Sequence, residues 1–445
     1  MSTRVRFAPS PTGQVHIGNM RAAIFNWLFA RHTGGKFLLR IEDTDRERST
    51  PEALQAIFTA MDWLGIEPDE PPVYQSARLA AHLETAEKLL SSGHAYRAPR
   101  TGKDGAPEGE CVVFKMPGTD IIFRDAIKGQ LRKAAADMKD FVIVRSNNTP
   151  VFHLANVADD IAMGITDIIR GDDHIENTYR HAAMFQALGA AVPQYAHLPM
   201  IVNAQGKPYS KRDGTAFVGE FREKGYLADV LFNYLALLGW SPGDDREILA
   251  REEMIRLFEI SRVKSAPARV DLEKLSWMNG EYIKALPREI LAEECRRILA
   301  GHGLWKPDAD AGYAGEVFEL MRPRIKIFPD IAALGAFFFT EDYPCDSAAV
   351  KKRLLTGDDI LPRLLELNER FKKLEKFNAA ASEQALRQYG AESGIGAGPL
   401  IHAVRVAVSG LAMGPGLFEM LAVLGKTRVT GRIARSVAMF SGPGT

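Results

Sequence analysis

A short β-type run, Val5 to Ala8, leads into Pro9-Ser10-Pro11-Thr12-Gly13, and a helical pattern from Ile17 to His32 follows. Breakers this dense end a strand and force a turn, while Ile24, Leu28 and Phe29 recur at helical spacing beyond it. Phe37 to Ile41 reads as a second strand, and amphipathic helices near Pro51 to Leu64 and Leu79 to Ser91 continue the alternation. Strand and helix alternating over 95 residues confine this part of the chain to a doubly wound parallel sheet. Such sheets bind ligands beyond the carboxyl ends of their strands. The acidic run Glu42-Asp43-Thr44-Asp45 falls at one of those ends.

From Tyr96 to about Lys139 the pattern changes to a Gly/Pro-rich stretch, Thr101 to Gly109, and β-like segments at Cys111 to Met116 and Ile121 to Phe123. This predicts a small α+β insertion between two halves of a nucleotide-binding sheet. Phe141 to Val144 is expected to resume the sheet, Asp173 to cap a helix with Glu176 completing a capping box, and His197 to Val202 to form a last strand before the Gly206 to Gly214 loop. From about Ala216 onward the segments read as helical.

At 445 residues, with 46% hydrophobic and 25% charged residues, the chain has the composition of an ordinary folded protein of two to four domains. Its 56 basic and 56 acidic residues cancel, so net charge gives no hint of a polyanionic partner. No apolar run is long enough for a membrane span, and the first residues lack a signal core, so a cytoplasmic protein without a membrane partner is expected. Cys111, Cys295 and Cys345 are too few and too scattered for a disulfide framework or a Cys-x-x-Cys zinc site.

Two segments about 190 residues apart carry the chemistry. His16-Ile17-Gly18-Asn19 opens the first helix, and Lys207-Pro208-Tyr209-Ser210-Lys211 occupies a glycine-flanked loop. A helix start offers a partial positive charge and free N–H groups, so His16 there can help hold a phosphate while Gly18 lets a nucleotide approach the backbone. Lys207, Lys211 and the Ser210 hydroxyl can neutralise a departing pyrophosphate. Taken alone, each segment is also compatible with a local structural role.

Together with Arg6-Phe7-Ala8-Pro9-Ser10-Pro11-Thr12-Gly13, Arg40-Ile41-Glu42-Asp43-Thr44-Asp45, His153-Leu154-Ala155-Asn156 and Arg170-Gly171-Asp172-Asp173-His174, these segments make the chain resemble the bacterial glutamyl-tRNA synthetases of class I. The likeness extends through Met278 to Ile283, Met321-Arg322-Pro323-Arg324 and Pro415 to Glu419. It implies a Rossmann-type catalytic domain in two halves, 1–95 and 141–215, split by an acceptor-end-binding insertion at 96–140. A stem-contact helical region, 216–282, and an all-α anticodon-binding domain, 283–445, complete it. The implied reaction is ATP-dependent activation of L-glutamate, then transfer to tRNA(Glu) by a monomeric enzyme. Mg2+ would bridge the ATP phosphates; no metal site is expected on the protein.

The resemblance also assigns roles. His16 and Lys211 would stabilise the transition state with Lys207 and Ser210 assisting, and His16, Gly18 and Lys211 would bind ATP. Arg6, Ser10, Glu42, Asn156 and Arg170 would line the glutamate pocket, and Arg324 would read the third anticodon base. Glutamate brings two carboxylates and an ammonium, so guanidinium groups paired with an acid suit it. There are departures: Phe152 replaces a tyrosine of many relatives, His174 a tryptophan of some, and Cys111 is the lone cysteine of the insertion, so structural zinc is not expected. The competing readings are a form that also charges tRNA(Gln), a truncated paralogue acting on a tRNA base, a glutaminyl-tRNA synthetase, and a non-catalytic tRNA-binding derivative.

Overall fold

The computed structural model describes residues 2–45, 48–101, 107–306, 309–356 and 359–441. It divides into two compact units, 1–275 and 276–445, so the first boundary of a separate unit falls seven residues before the expected 282. The Gly/Pro-rich stretch expected at Thr101 to Gly109 lies partly outside the described residues.

In the first unit, strands β1 (Arg4–Phe7), β2 (Lys36–Ile41) and β3 (Val73–Tyr74) pair parallel in that order. Between β1 and β2 runs helix α1 (Ile17–Thr33), whose buried residues spread round its circumference. A helix buried on all sides is central to its layer, not a surface helix. Gly34 ends it at φ 65°, a left-handed cap that most side chains disfavour. Helix α2 (Pro51–Trp63) starts with Thr50, whose hydroxyl accepts from Ala53 N at 3.1 Å, and with proline at its first position. β2 is buried at every position after Lys36, as expected of a parallel strand covered on both faces.

After helix α3 (Leu79–Ser91), strands β4 (Ala95–Thr101), β5 (Pro107–Phe114) and β8 (Phe141–Val144) make an antiparallel sheet. Here the structure corrects the sequence reading: Phe141 to Val144 does not resume the parallel sheet but pairs with β5. The insertion's other hairpin, β6 (Ile121–Asp125) and β7 (Gly129–Lys133), joins the parallel layer instead, where β6 meets β10 (Gln194–Leu198) and β10 pairs with β9 (Asp167–Gly171). A hydrophobic run in an α/β chain does not say which sheet it will join.

Helix α4 (Phe152–Ala162) precedes β9, and α5 (Ile175–Ala187) follows it. Asp173 does not cap α5, which has no side-chain cap; Glu176 instead pairs with Lys133 of the hairpin. The strand expected over His197 to Val202 is broken into β10 and β11 (Ile201–Val202), and β11 pairs with a two-residue strand at Ala268–Arg269, an exception to the helical reading beyond Ala216. Among the described residues 276–445 hold helices and no strand.

The β1 and β9 layers are stitched where Arg4 N donates to Thr166 Oγ1 at 2.8 Å and Thr166 N to Arg4 O at 2.9 Å. Behind them, Asn26 of α1 donates to Ile169 O of β9 at 2.9 Å. That bond fixes the helix against the strand that carries Arg170. Asn26→Ala would leave a buried carbonyl without its donor, at a cost of about 1–3 kcal/mol. The expected outcome is a lower urea midpoint, followed by intrinsic fluorescence.

Candidate active site

At the carboxyl ends of β1, β2 and β9 a cleft of about 700 Å³ opens, bounded by the starts of α1 and α4 and by the β11 region. Arg6, Ser10, His16, Gly18, Glu42, Asn156 and Arg170 all line it, so seven of the residues singled out in the sequence meet in one place. Phe152 and His174 line it too.

The wall on one side is a buried ionic network. Asp160, on α4, accepts from Arg6 Nε at 3.0 Å and from Arg40 Nη1 at 2.5 Å, with all three side chains almost wholly shielded from water. Arg40 Nη2 reaches Glu42 Oε1 at 3.2 Å, and Asn156 Nδ2 donates to the same oxygen at 2.8 Å. Burial works to raise the Asp160 carboxyl, but Arg40 and Arg6 outweigh it and hold the group below the ordinary aspartate range. For Glu42 burial prevails over the same two arginines and the carboxyl is pushed up. Glu42 is thus an acid with an unsatisfied demand for positive charge.

Arg170 has the opposite shortage. It is buried, its Nε has no hydrogen-bond partner, and its other bonds go to Thr178 Oγ1 at 2.7 Å and His174 O at 3.4 Å, with no carboxylate among them. Burial pushes its guanidinium down to about 10. It still carries its charge at neutral pH, and the acids near it, Asp160 and Glu42, act on it only from a distance. His153 and His174 are pushed down to about 4, chiefly by burial, and His181 well below its usual value, so the imidazoles around Phe152 are neutral and do not add to that charge.

The opposite wall is built round the start of α1. His16 is the residue before the helix, and its Nδ1 accepts from Gly18 N at 3.0 Å. Ile17 N donates to Ala216 O, and the amides of Asn19 and Met20 donate to His16 O. The free N–H groups expected at this helix start are therefore already taken. What remains for a ligand is the helix dipole and the imidazole's Nε2 side, with the proton on Nε2 because Nδ1 is an acceptor. Burial lowers the affinity of His16 for a second proton, while the Tyr209 backbone beside it works in the other direction. A Cβ on Gly18 would lie 3.1 Å from His16 Nδ1 and 3.4 Å from Ile201 Cδ1, so a side chain there would press on the imidazole.

Lys207, Ser210 and Lys211 do not line the cleft; their neighbours Pro208 and Tyr209 do. Both lysines are exposed. The Ser210 hydroxyl is committed to Asp213 Oδ2 at 2.9 Å, and Asn203 accepts from the amides of Gln205 and Lys207, so the loop keeps its shape without its lysine head groups. Asp172 pairs with Lys128 at 2.9 Å, and no three His, Cys, Asp or Glu side chains among the described residues are placed to hold a metal.

In the second unit, Arg322 donates to Leu286 O at 2.6 Å and Lys284 O at 3.2 Å and pairs with Glu319 at 2.8 Å, which makes it a helix cap. Arg324 is exposed and stands outside that cap.

Sequence reasoning gave no role to Arg40, although it stands beside Glu42, nor to Asp159 and Asp160. Asp159 accepts from Arg78 at 2.5 Å, His82 at 2.9 Å and Gln75 at 3.0 Å, on a different face of α4 from Asp160. The available signal was the spacing of Asn156 and Asp160, four apart on a helix and so on one face. Arg21 was also passed over; it lines the cleft, donates to Pro199 O at 2.6 Å and is pushed down to about 10 by burial.

Asp160→Asn would leave two buried guanidinium groups sharing a neutral amide, a loss of about 3–5 kcal/mol. Because the Asp160 carboxyl is lowered on folding, its contribution is present above the ordinary aspartate range near pH 4 and is lost as pH falls through the folded value. Thermal unfolding between pH 2 and 7 is therefore expected to show a shallower acid limb in the variant than in the wild type.

Comparison with known proteins fits this geometry. The family described as tRNA synthetases class I (E and Q), catalytic domain, matches residues 2–104 and 100–277, and the anticodon binding domain matches 290–437. Glutamate–tRNA ligase 2 of Koribacter versatilis is 40% identical, with 97% of each chain covered, and glutamate–tRNA ligase 1 of Caldanaerobacter subterraneus subsp. tengcongensis is 38% identical, with 98% of this chain and 97% of its own covered. A crystal structure of a glutamate tRNA ligase from Elizabethkingia meningosepticum in complex with its amino acid superposes with a TM-score of 0.86, at 30% identity over 98% of this chain and 99% of that one.

Proposed function

The chain belongs to the class I tRNA synthetases of the glutamate and glutamine type, and on that premise we propose that it ligates L-glutamate to the 3′ end of tRNA(Glu) through a glutamyl-adenylate. One observation supports the choice of amino acid above others: Arg170, buried at the cleft wall, has no carboxylate among its hydrogen-bond partners, whereas Arg6 and Arg40 are paired with Asp160 and Glu42. Arg21, also buried in the lining, bonds only Pro199 O. A side-chain carboxylate of glutamate can pair with Arg170, whereas the neutral amide of glutamine leaves that buried cation unpaired.

In this reading Arg170 and Arg6 take carboxylates, Glu42 takes the ammonium with Asn156 holding it in place, and Ser10 adds a hydroxyl at the strand end. A carboxylate oxygen of glutamate attacks the α-phosphorus of ATP in line and pyrophosphate leaves. Positioning and charge neutralisation carry such a step. His16, with its proton on Nε2, donates to the phosphate; Gly18 leaves room for the nucleotide; Lys211 and Lys207, with Ser210 shaping the loop, neutralise the pyrophosphate. The tRNA 2′-hydroxyl then attacks the anhydride carbonyl and AMP leaves. Mg2+ would accompany the ATP phosphates as part of the substrate.

We assign 1–95 and 145–215 to the catalytic halves, 96–144 to acceptor-end binding, since β8 pairs within the insertion, 216–282 to stem contact and 283–445 to the anticodon, in a monomeric cytoplasmic enzyme. Among the described residues no helix is long and apolar enough to cross a membrane.

His16→Ala and Lys211→Ala are each expected to slow glutamate activation by about 2.7–4 kcal/mol, the scale of removing one transition-state donor, with tRNA binding nearly intact. Single-turnover rates within twofold of wild type would remove both from the mechanism. Arg324→Gln is expected to erode the preference for tRNA(Glu) over tRNA(Gln), since a misread base costs about 1–3 kcal/mol in nucleic-acid recognition. Measuring kcat/KM on both tRNAs separates base reading from phosphate contact: an equal loss on each would assign Arg324 to the backbone.

A further inference from the structure

Beneath Arg170 lies a chain of polar side chains closed to solvent. Arg170 Nη2 donates to Thr178 Oγ1 at 2.7 Å, Thr178 Oγ1 stands 2.9 Å from His197 Nε2, and His197 Nδ1 stands 2.6 Å from Asp125 Oδ2. Thr178 and His197 are wholly buried and Asp125 is 2% exposed. The ring of His197 is stacked on Tyr195 at 6° between planes, and Arg170 lies over the other partner of that stack, 5.7 Å from the Tyr195 centroid.

The proton positions follow from the partners. The Asp125 carboxylate also accepts from the amides of Ile127, Lys128 and His197, so it is an acceptor throughout and Nδ1 of His197 carries the hydrogen between them. Burial keeps the imidazole neutral, which leaves Nε2 bare. The Thr178 hydroxyl has one hydrogen and two candidate acceptors, Nε2 at 2.9 Å and His174 O at 3.1 Å. When it serves Nε2, its lone pairs face Arg170. The order Asp–His–hydroxyl is the one that activates nucleophiles elsewhere, but Thr178 has no exposed surface and its oxygen is occupied by a guanidinium.

We propose that Asp125, His197 and Thr178 form a positioning relay that sets the plane of the Arg170 guanidinium for the substrate carboxylate and makes glutamate affinity depend on the seat of the β6–β7 hairpin. It rests on the assignment of Arg170 to glutamate. Two further features support it. Among the described residues Thr178 is the one side chain that hydrogen-bonds Arg170, whose Nε is unpartnered and whose bond to His174 O is 3.4 Å long. Asp125 ends β6 and ties down the turn into β7, whose Lys128 continues to Asp172 at the cleft wall, so one hairpin is anchored both to the relay and to the cleft.

The test is steady-state aminoacylation by the full-length enzyme with glutamate varied at saturating ATP and tRNA(Glu), alongside ATP titrations and melting temperatures. Thr178→Val keeps the shape and removes the oxygen; it is expected to raise the glutamate KM at least about tenfold, as loss of a buried bond to a charged group implies, with kcat and the ATP KM within about threefold. Thr178→Ser restores the hydroxyl and is expected to stay near wild type, and Asp125→Asn, which keeps an acceptor but not the charge, to fall between. A glutamate KM within twofold of wild type in both Thr178→Val and Asp125→Asn overturns the relay. So does a Thr178→Ser variant as impaired as Thr178→Val, or an equal rise in the KM of glutamate and ATP. If Thr178→Val does not fold, Asp125→Asn and Thr178→Ser decide by the same criteria. Failure of the wild type to charge tRNA with glutamate would instead strike the functional reading, before any variant is compared.

Discussion

Asp160 is the interaction on which the rest of the cleft depends. Removing a carboxylate from water costs several kcal/mol, and this one is compensated by two guanidiniums that arrive from neighbouring parallel strands, Arg6 on β1 and Arg40 on β2. Satisfying one buried acid therefore fixes α4 against the sheet, sets the direction of Arg6 into the cleft and, through Arg40, brings Glu42 into line. Asn156, one turn earlier on the same helix, completes the arrangement from the other side of Glu42. The members of such a network do not relax separately, because Asp160 and Glu42 each share their oxygens between two donors, although Arg40 Nε and Asn156 Oδ1 have no hydrogen-bond partner.

The two walls of the cleft follow different physical rules. The α4 wall is ionic, built on Asp160, Arg6, Arg40 and Glu42. The α1 wall is a helix start whose own amides are satisfied, by Ala216 O of a neighbouring loop, by His16 O and by the imidazole itself. Closing off those amides narrows what this wall offers a phosphate to one imidazole N–H and the dipole behind it. It also explains the tight packing at Gly18, where the imidazole can serve the helix with one nitrogen only if nothing crowds its ring.

The positions of the lysine loop and of Arg322 show where motif and geometry part company. Lys207 and Lys211 flank residues that enter the cleft but do not enter it themselves; the loop is shaped by Asn203, Ser210 and Asp213, and the long side chains keep their charged heads in water. Arg322 and Arg324 sit two apart in a sequence that makes them look equivalent. The fold makes one a cap on carbonyls and leaves the other at the surface.

The alternation of strand and helix and the breaker-rich turn at Pro9 to Gly13 were legible in the sequence because each is set by local periodicity or turn chemistry, and seven residues of the cleft were named through the motifs that carry the family resemblance. Partnerships were not. Asp160 lies 154 residues from Arg6 and 120 from Arg40, and Asp125 lies 72 from His197; at such separations no period or spacing in one chain indicates which buried charges will meet. The sheet that β8 joins was hidden for the same reason, because a run of Phe-Val-Ile-Val satisfies either neighbour. The sequence by itself determined which side chains could do the chemistry; only the tertiary structure decided which of them are already neutralised and that Arg170 is not, because the cost of burying a charge depends on what the fold places beside it.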